Sequence, residues 1–217
     1  ANVSYELRTP LNAIVGFAQV LTDQYFGTLN DRQLDHARSI ITASDRLVTL
    51  INDILDLSSI EAGYLHLSPG DVDISALLHQ VTALTHESIR SRGVAMTLDC
   101  PPGIGTVRGD ERRLKQALLN LLSNAAKFTP KDGRILVSAR REDEGLVFRV
   151  ADTGVGIEPE RHAEIFEPFA HGASSQAQAG AGLGLALVRR LIELHGGTIS
   201  LDSQPGIGTT VQLTLPG

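Results

Sequence analysis

Three side chains near the start of the chain could take part in a group-transfer reaction. The segment SYELRTPLNAI, residues 4–14, places the Tyr5 phenol beside the Glu6 carboxylate, and the Thr9 hydroxyl follows one helical turn later. On one face, helical spacing aligns a strip of small and polar residues: Tyr5, Thr9, Asn12, Gly16 and Gln19. The strip faces solvent or a partner. Read by itself, it is most simply a solvated helix face with a surface tyrosine.

An amide pair in the middle of the chain is the second candidate for chemistry. In NLLSNAAKF, Asn120 and Asn124 are four residues apart on one face of a predicted helix, and Lys127 follows three residues later. Amide side chains gathered on one face of a helix could serve a ligand site. An ordinary helix cap or a hydrogen-bonded asparagine pair explains the same spacing equally well.

Two glycine-containing segments complete the set of candidates. In DTGVGIEP, Asp152 ends a predicted strand and is followed by Gly154 and Gly156, although Asp-Thr-Gly also occurs in ordinary turns. In AGAGLGLAL, Gly180, Gly182 and Gly184 open a predicted helix whose free amides could cradle phosphates. The segment EIFEPFA lies between them and carries two phenylalanines, which alone would be read as core aromatics: Phe166 and Phe169.

The first 66 residues predict a helical hairpin. Apolar residues spaced four and three apart form the seam of a first helix: Leu7, Leu11, Ile14, Ala18 and Leu21. Asn30 and Gln33 resemble a capping box that opens a second helix after the turn around Gly27. The second helix has a stripe too wide for one partner helix: Ile40, Ile41, Leu47, Leu50, Ile51, Ile54, Leu55 and Leu57. This width predicts a four-helix bundle made by two chains, a homodimer; the alternative is that the stripes pack on the second domain.

Residues 67–217 predict a second domain in which helices are layered on one mixed sheet. Ser68-Pro69-Gly70 interrupts the helical pattern, and Ser75 is a candidate cap for a helix that ends before Gly93. The predicted strands are VAMTLDC, RILVSAR, GLVFRVAD, TISLDS and TTVQLTL, with helices over DERRLKQALLNLLSNAAKF and from Gly182 to His195. The fold class is therefore α+β: a helical hairpin followed by a two-layer α/β sandwich. The segment from His171 to Gly182 is expected to form a mobile loop.

Taken together and in order, the four motifs of the second domain resemble those of the GHKL ATPases, particularly sensor histidine kinases of two-component systems. The front segment resembles the phosphoacceptor motif Ser-His-Glu-Leu-Arg-Thr-Pro-Leu of the same kinases, and the resemblance spans essentially the whole chain. It implies binding of ATP with Mg²⁺, and a response-regulator receiver domain as partner.

The resemblance assigns roles to residues of this sequence. It implies that Asn124 ligates Mg²⁺, that Lys127 faces the phosphates and Phe128 the adenosine, and that Asp152 accepts the adenine amino group. The implied nucleotide-binding set is Asn120, Asn124, Lys127, Phe128, Asp152, Gly154, Gly156, Ile157, Gly180, Gly182, Leu183 and Gly184. Phe166 and Phe169 would anchor a lid over the nucleotide. Ala179 and Ala181 depart from the family's usual glycine and hydroxyl residues, which predicts a weaker grip on phosphate.

The main departure from the family is the acceptor itself, because Tyr5 stands where the resemblance expects the phosphorylated histidine. A neutral imidazole can attack a phosphate directly, whereas a phenol must lose its proton. For ordinary side chains, moving a tyrosine proton to a glutamate is uphill by roughly 8 kcal/mol. Phosphotyrosine is also a stable ester, unlike the energy-rich phosphoramidate of phosphohistidine. Among histidine kinases, the sequence therefore resembles most a homologue that carries tyrosine at the acceptor position.

Three functions remain open at this level. The first is a signalling module that binds ATP and docks a receiver domain without conventional histidine autophosphorylation. The second is an active kinase that phosphorylates Tyr5 or a response regulator, which requires a lowered phenol pKa. The third is a response-regulator phosphatase, since Glu6 and Thr9 match the family's motif for orienting water onto an acyl phosphate.

Charge and composition indicate which classes of partner and which cellular compartment to expect. The net charge is -6, from 19 Lys and Arg against 25 Asp and Glu, and no basic run is present, so nucleic acid is not an expected partner. The lone Cys100 cannot form an internal disulfide, which fits a reducing compartment. No apolar run approaches about 20 residues. We therefore expect a cytoplasmic segment of a protein anchored in the inner membrane through upstream segments.

Overall fold

The computed structural model describes residues 2–143, 145–170 and 182–217; in the first helix it describes side chains at residue 6 and from residue 9 onward. The chain divides into two compact units, Ala1–Tyr64 and Leu65–Gly217. No helix in the described ranges is long and apolar enough to cross a membrane.

The first unit is a hairpin of helices α1 (Asn2–Thr22) and α2 (Asp31–Glu61). The predicted capping box is confirmed: the Asn30 side chain accepts the Gln33 N–H at 2.9 Å, and the Gln33 side chain accepts the Asn30 N–H at 3.0 Å. Small buried residues let the two helices approach closely, and they include Ala18, Ala37 and Ser44. Larger residues of the predicted stripe, by contrast, stay partly exposed at Ile14, Leu21, Ile40, Leu47 and Ile54.

The second unit holds the rest of the fold. Its elements are β1 (Gly70–Asp73), α3 (Ile74–Ser91), β2 (Ala95–Asp99), β3 (Thr106–Gly109), α4 (Glu111–Phe128), β4 (Arg134–Glu142), β5 (Gly145–Asp152), α5 (Gly184–Leu194), β6 (Thr198–Gln204) and β7 (Gly208–Leu215). Two 3₁₀ turns, Pro159–Arg161 and Glu164–Phe166, follow β5.

A mixed five-stranded sheet in the order β2-β4-β5-β7-β6 forms one layer of this unit. β2 and β4 are parallel, and the other neighbours are antiparallel. Helices α3, α4 and α5 form the second layer, and fully buried side chains such as Phe148, Leu118 and Leu187 fill the core. The α+β fold class predicted from the sequence is confirmed.

Local differences from the prediction have simple causes. Asp73, not Ser75, caps α3: its carboxylate accepts the Ala76 N–H at 2.8 Å, because the buried Ile74 already belongs to the helix. The last helix begins at Gly184, since Gly182 has a φ of +69° and cannot be helical. The two-stranded β1–β3 ribbon was not predicted; each of its strands has only four residues.

Candidate functional site

Asp152 lies at the end of β5, in the middle of the sheet. Strand register places it opposite Ile135 of β4 and Thr209 of β7. Its carboxylate accepts the Gly154 N–H at 2.8 Å and the backbone N–H of Thr209. Burial raises the pKa of Asp152 above its ordinary value, and the two backbone donors act in the opposite direction. The sheet therefore holds a partly desolvated acceptor in a fixed orientation.

The loop after Asp152 approaches other backbone segments so closely that only glycine fits at two positions. A Cβ on Gly154 would lie 2.7 Å from the Phe128 carbonyl oxygen, and one on Gly156 would lie 2.0 Å from the Gln204 carbonyl oxygen. Gly156 also has a φ of +71°, which glycine adopts without strain. The loop is thus held between the end of α4 and the turn after β6. Its last residue of interest, Ile157, is half-buried.

Helix α4 presents the predicted amide pair toward the start of α5. A Cβ on Gly184 would lie 3.8 Å from Nδ2 of Asn124 and 4.0 Å from Nδ2 of Asn120. Nδ2 of Asn120 is buried and has no hydrogen-bond partner in the part of the chain that the structure describes. Because an unpaired buried amide is costly, this donor calls for an acceptor such as an anionic ligand oxygen.

The end of α4 carries the predicted base-facing and phosphate-facing side chains. Phe128 is 38% exposed, which leaves its ring available to a ligand. Nζ of Lys127 lies 4.6 Å from the centroid of that ring, a cation–π distance. The Phe128 carbonyl oxygen also accepts the Val155 N–H at 3.3 Å, so α4 and the Asp152 loop are joined here.

The start of α5 is packed against the segment that precedes it. The Gly182 carbonyl oxygen accepts the Phe169 N–H at 3.0 Å, and Leu183 is 2% exposed. Phe166 is half-buried, whereas Phe169 is 59% exposed, which excludes the simple reading of Phe169 as a core aromatic. Gly180, Ala179, Ala181 and most of the loop predicted between residues 171 and 182 lie outside the described residues.

The candidate residues of the first unit lie on α1. Glu6 and Thr9 are both exposed and are three residues apart on the helix. Pro10 lies inside the helix, so the Glu6 carbonyl oxygen loses its usual helical donor. The Tyr5 side chain lies outside the described part of the chain.

The structure thus gathers most of the second-domain residues predicted from the sequence. Asn120, Asn124 and Gly184 meet between two helices, and Phe128 meets the loop of Asp152. Sequence reasoning missed two residues of the neighbouring strands that hold this loop, Ser203 of β6 and Thr209 of β7. One signal was present: β6 alternates Ile199, Leu201 and Ser203 toward the core, which places a polar residue at an inward position. No cluster of three or more His, Cys, Asp or Glu side chains suited to a metal occurs among the described residues.

Comparisons with known proteins place both units in one family. Residues 1–63 match the model of the His Kinase A (phospho-acceptor) domain, and residues 109–217 match that of the histidine kinase-, DNA gyrase B- and HSP90-like ATPases. The chain belongs to the histidine-kinase family. It is a member of the two-component group, and its second unit is the ATP-binding domain of such kinases.

Similar proteins agree with this assignment. Histidine protein kinase DivJ of Caulobacter vibrioides is 44% identical over all of this chain and 36% of its own length. Sensor protein DivL of the same organism is 38% identical over 99% of this chain and 27% of its own length. The crystal structure of full-length ShkA in complex with AMPPNP has 36% identity and a TM-score of 0.82, covering this whole chain and 45% of ShkA. This chain therefore spans between about a quarter and just over a third of the length of these two curated relatives.

Proposed function

We propose that this chain is the core of a two-component signalling protein that binds Mg-ATP and docks a response-regulator receiver domain without conventional histidine autophosphorylation. In this proposal residues 1–66 dimerise and carry the acceptor position, and residues 67–217 bind the nucleotide. Two observations together carry the nucleotide site: the Asp152 carboxylate is held by backbone donors, and the buried Nδ2 of Asn120 has no hydrogen-bond partner among the described residues.

The Asp152 carboxylate reads the adenine. An ionised carboxylate accepts the exocyclic amino group of adenine and repels the carbonyl oxygen that guanine carries at the same position. The partly exposed Phe128 ring packs on the adenosine, while Gly154, Gly156 and Ile157 bring backbone close to the base. The neighbouring backbone leaves room only for glycine at Gly154 and Gly156. This constraint favours a loop shaped for ligand binding over an ordinary turn.

The other end of the nucleotide meets the two helices. Asn120 donates from Nδ2 to a phosphate oxygen or its water, and Lys127 supplies positive charge. Gly180, Gly182, Leu183 and Gly184 would bring backbone amides to the phosphates. Asn124 is the residue that would hold Mg²⁺, since a neutral amide oxygen suits a cation that keeps most of its waters and is bridged to phosphates. Bound in this way, the metal would neutralise charge on the phosphates.

A second copy of the chain is the proposed partner of the hairpin. The side chains of Ile14, Leu21, Ile40, Leu47 and Ile54 are each more than 40% exposed. Together they form an apolar face that water would penalise in a lone hairpin. A dimeric four-helix bundle would bury this face.

Tyr5 makes transfer of phosphate through the acceptor position unfavourable. A phenol must lose its proton as it attacks, and the ester that results does not readily pass phosphate to an aspartate. Glu6 and Thr9 remain exposed on α1 beside that position, where a docked receiver could contact them. The same exposure favours a second candidate function, in which Glu6 and Thr9 orient water onto the acyl phosphate of a receiver.

Labelled ATP tests the proposed function. After incubation with ATP labelled at the γ-phosphate, we expect no acid-labile label on the wild-type protein and acid-labile phosphohistidine on Tyr5→His. Acid-stable label on wild type that is lost in Tyr5→Phe would instead establish a tyrosine kinase. Release of phosphate from a phosphorylated receiver, lost in Glu6→Ala, would establish the phosphatase.

A further inference from the structure

The Ser203 side chain uses its whole hydrogen-bonding capacity at one end of the candidate nucleotide site. It is 6% exposed; its Oγ accepts the Ile157 N–H at 2.9 Å, donates to the Gly208 carbonyl oxygen at 3.0 Å and lies 2.8 Å from Oγ1 of Thr209. A serine hydroxyl has one proton and two acceptor sites. Since its proton goes to Gly208, the Thr209 hydroxyl must donate to Ser203. The direction of every bond in this cluster is therefore fixed.

His162 holds the same residue of the loop from the other side. Its Nε2 lies 3.0 Å from the Ile157 carbonyl oxygen, and because a carbonyl only accepts, Nε2 carries the proton. The His162 backbone is itself fixed, as its N–H donates to the Pro159 carbonyl oxygen at 3.2 Å. Ile157 is thus held at its N–H by Ser203 and at its carbonyl oxygen by His162.

This pair of contacts leads back to Asp152. Thr209, which donates its hydroxyl proton to Ser203, also donates its backbone N–H to the Asp152 carboxylate. Ser203 therefore contacts the far end of the 152–157 loop and also the strand residue that orients the carboxylate at its near end. The middle of the loop is held separately, since the Val155 N–H donates to the Phe128 carbonyl oxygen at 3.3 Å and the Val155 carbonyl oxygen accepts the Gly206 N–H at 2.7 Å. Ser203 and His162 therefore add the contacts that hold its far end.

We propose that Ser203 and His162 are positioning residues for purine recognition, acting through Ile157 to fix the loop that carries Asp152. The inference rests on the proposed ATP site. Neither side chain needs to touch the nucleotide. Ser203 and His162, which hold Ile157 at its N–H and its carbonyl oxygen, form a clamp on the loop. If this clamp is released, the carboxylate and the backbone that follows it shift relative to the base, so discrimination between adenine and guanine falls. Affinity contributed by the phosphates, which are bound from α4 and α5, is retained.

The test compares Mg-ATP and Mg-GTP affinities of the 217-residue chain by calorimetry, with competition titrations for weak binding. In Ser203→Ala and in His162→Leu we expect the ratio of ATP to GTP affinity to fall on the order of tenfold. His162→Gln, which keeps an N–H donor, should retain most of the ratio. Matched controls are Ser200→Ala, an exposed serine on the same strand, and His86→Leu, an exposed histidine of α3; both should leave the ratio unchanged.

Melting curves show whether each variant is folded, and the nucleotide affinities of the folded variants then show whether the two side chains position the loop. A merely structural role would lower both affinities together and leave their ratio as in wild type, and that result in folded Ser203→Ala and His162→Leu would overturn the inference. If Ser203→Ala does not fold, the inference is tested by the ratio of ATP to GTP affinity in His162→Leu compared with that in His162→Gln. Because both side chains act on Ile157, the double variant should lose less than the product of the single losses.

Asp152→Asn distinguishes this inference from the proposed function. Loss of ATP binding in Asp152→Asn with an unchanged ratio in the two clamp variants would refute the clamp alone. Retained ATP affinity in Asp152→Asn would refute the adenine assignment, and the clamp would fall with it.

Discussion

The hairpin and the ATP-binding unit bury their apolar residues to very different extents. In the second unit large side chains are fully enclosed, among them Ile74, Leu114 and Phe148. Among the described residues of the hairpin the buried apolar side chains are Leu11, Ala18, Ala37 and Leu57, while other leucines and isoleucines, such as Leu47 and Ile54, are more than 40% exposed. A domain with its own core needs no partner to fold, whereas an amphipathic hairpin completes its core by association. This contrast supports the proposal that the hairpin, unlike the second unit, completes its core by association with a second chain.

The largest effect is expected in the second unit, at the carboxylate. Asp152→Asn replaces the acceptor with an amide whose N–H₂ can face the adenine amino group, so Mg-ATP affinity should fall by at least about 100-fold. Asp202→Asn, an exposed aspartate on β6, is the matched control and should bind as wild type. Calorimetry measures both. Equal Mg-ATP affinities for wild type and Asp152→Asn would contradict the proposed ATP site around Asp152.

The next effect should appear in the hairpin and leave the second unit unchanged. Leu47→Glu places a charge on the partly exposed apolar face, so the dimer should dissociate at least about tenfold more readily, because a charge is costly to bury without a partner. Leu84→Glu changes a more exposed leucine of α3 and should leave association unchanged. Sedimentation at micromolar concentration tests this. A monomeric wild-type chain under the same conditions would contradict the comparison.

Asp53 of α2 gives the hairpin a pH dependence of its own. Burial, with a smaller contribution from the neighbouring Asp56 carboxylate, raises the pKa of Asp53 to about 6. The folded hairpin therefore holds a proton that the unfolded chain releases near pH 3.8. The resulting stabilisation is complete below that pH and is lost as the pH rises through about 6.

Hydrogen exchange in α2, corrected for the intrinsic effect of pH, measures this dependence. Protection should be greater at pH 5 than at pH 7, and Asp53→Asn should show a flatter profile. Amides of the sheet in the second unit serve as the internal reference, since they should not follow the state of Asp53. A wild-type profile identical to that of Asp53→Asn would show that the carboxyl does not titrate in this range.

Local patterns predicted much of this fold, and contacts distant in sequence explain what they missed. The Asn30–Gln33 capping box, the strand pattern of the sheet and the α4 amide face are all readable within a few residues. The bond between Ile157 and Ser203 joins residues 46 apart, and only the pairing of β6 with β7 brings Ser203 under the loop. The β1–β3 ribbon was missed for a similar reason, because its two short strands are separated by α3 and β2.

The smallest predicted effect belongs to Tyr5. If signalling depends on the surface around Tyr5 and not on phosphate transfer through it, the ring matters more than the hydroxyl. A buried aromatic ring at a small interface contributes about 1 to 2 kcal/mol, which is enough for a several-fold change in affinity. Tyr5→Phe should therefore keep most receiver binding and signalling, and Tyr5→Ala should weaken both.

Receiver affinity and signalling output of wild type, Tyr5→Phe and Tyr5→Ala, measured side by side, test the central claim most directly. The account predicts that Tyr5→Phe resembles wild type in both measurements and that Tyr5→Ala loses receiver affinity several-fold, with output falling in step. If Tyr5→Phe binds the receiver as wild type does but abolishes output, the hydroxyl is chemically required. The chain would then be a tyrosine-phosphorylating kinase, and the docking account would be wrong.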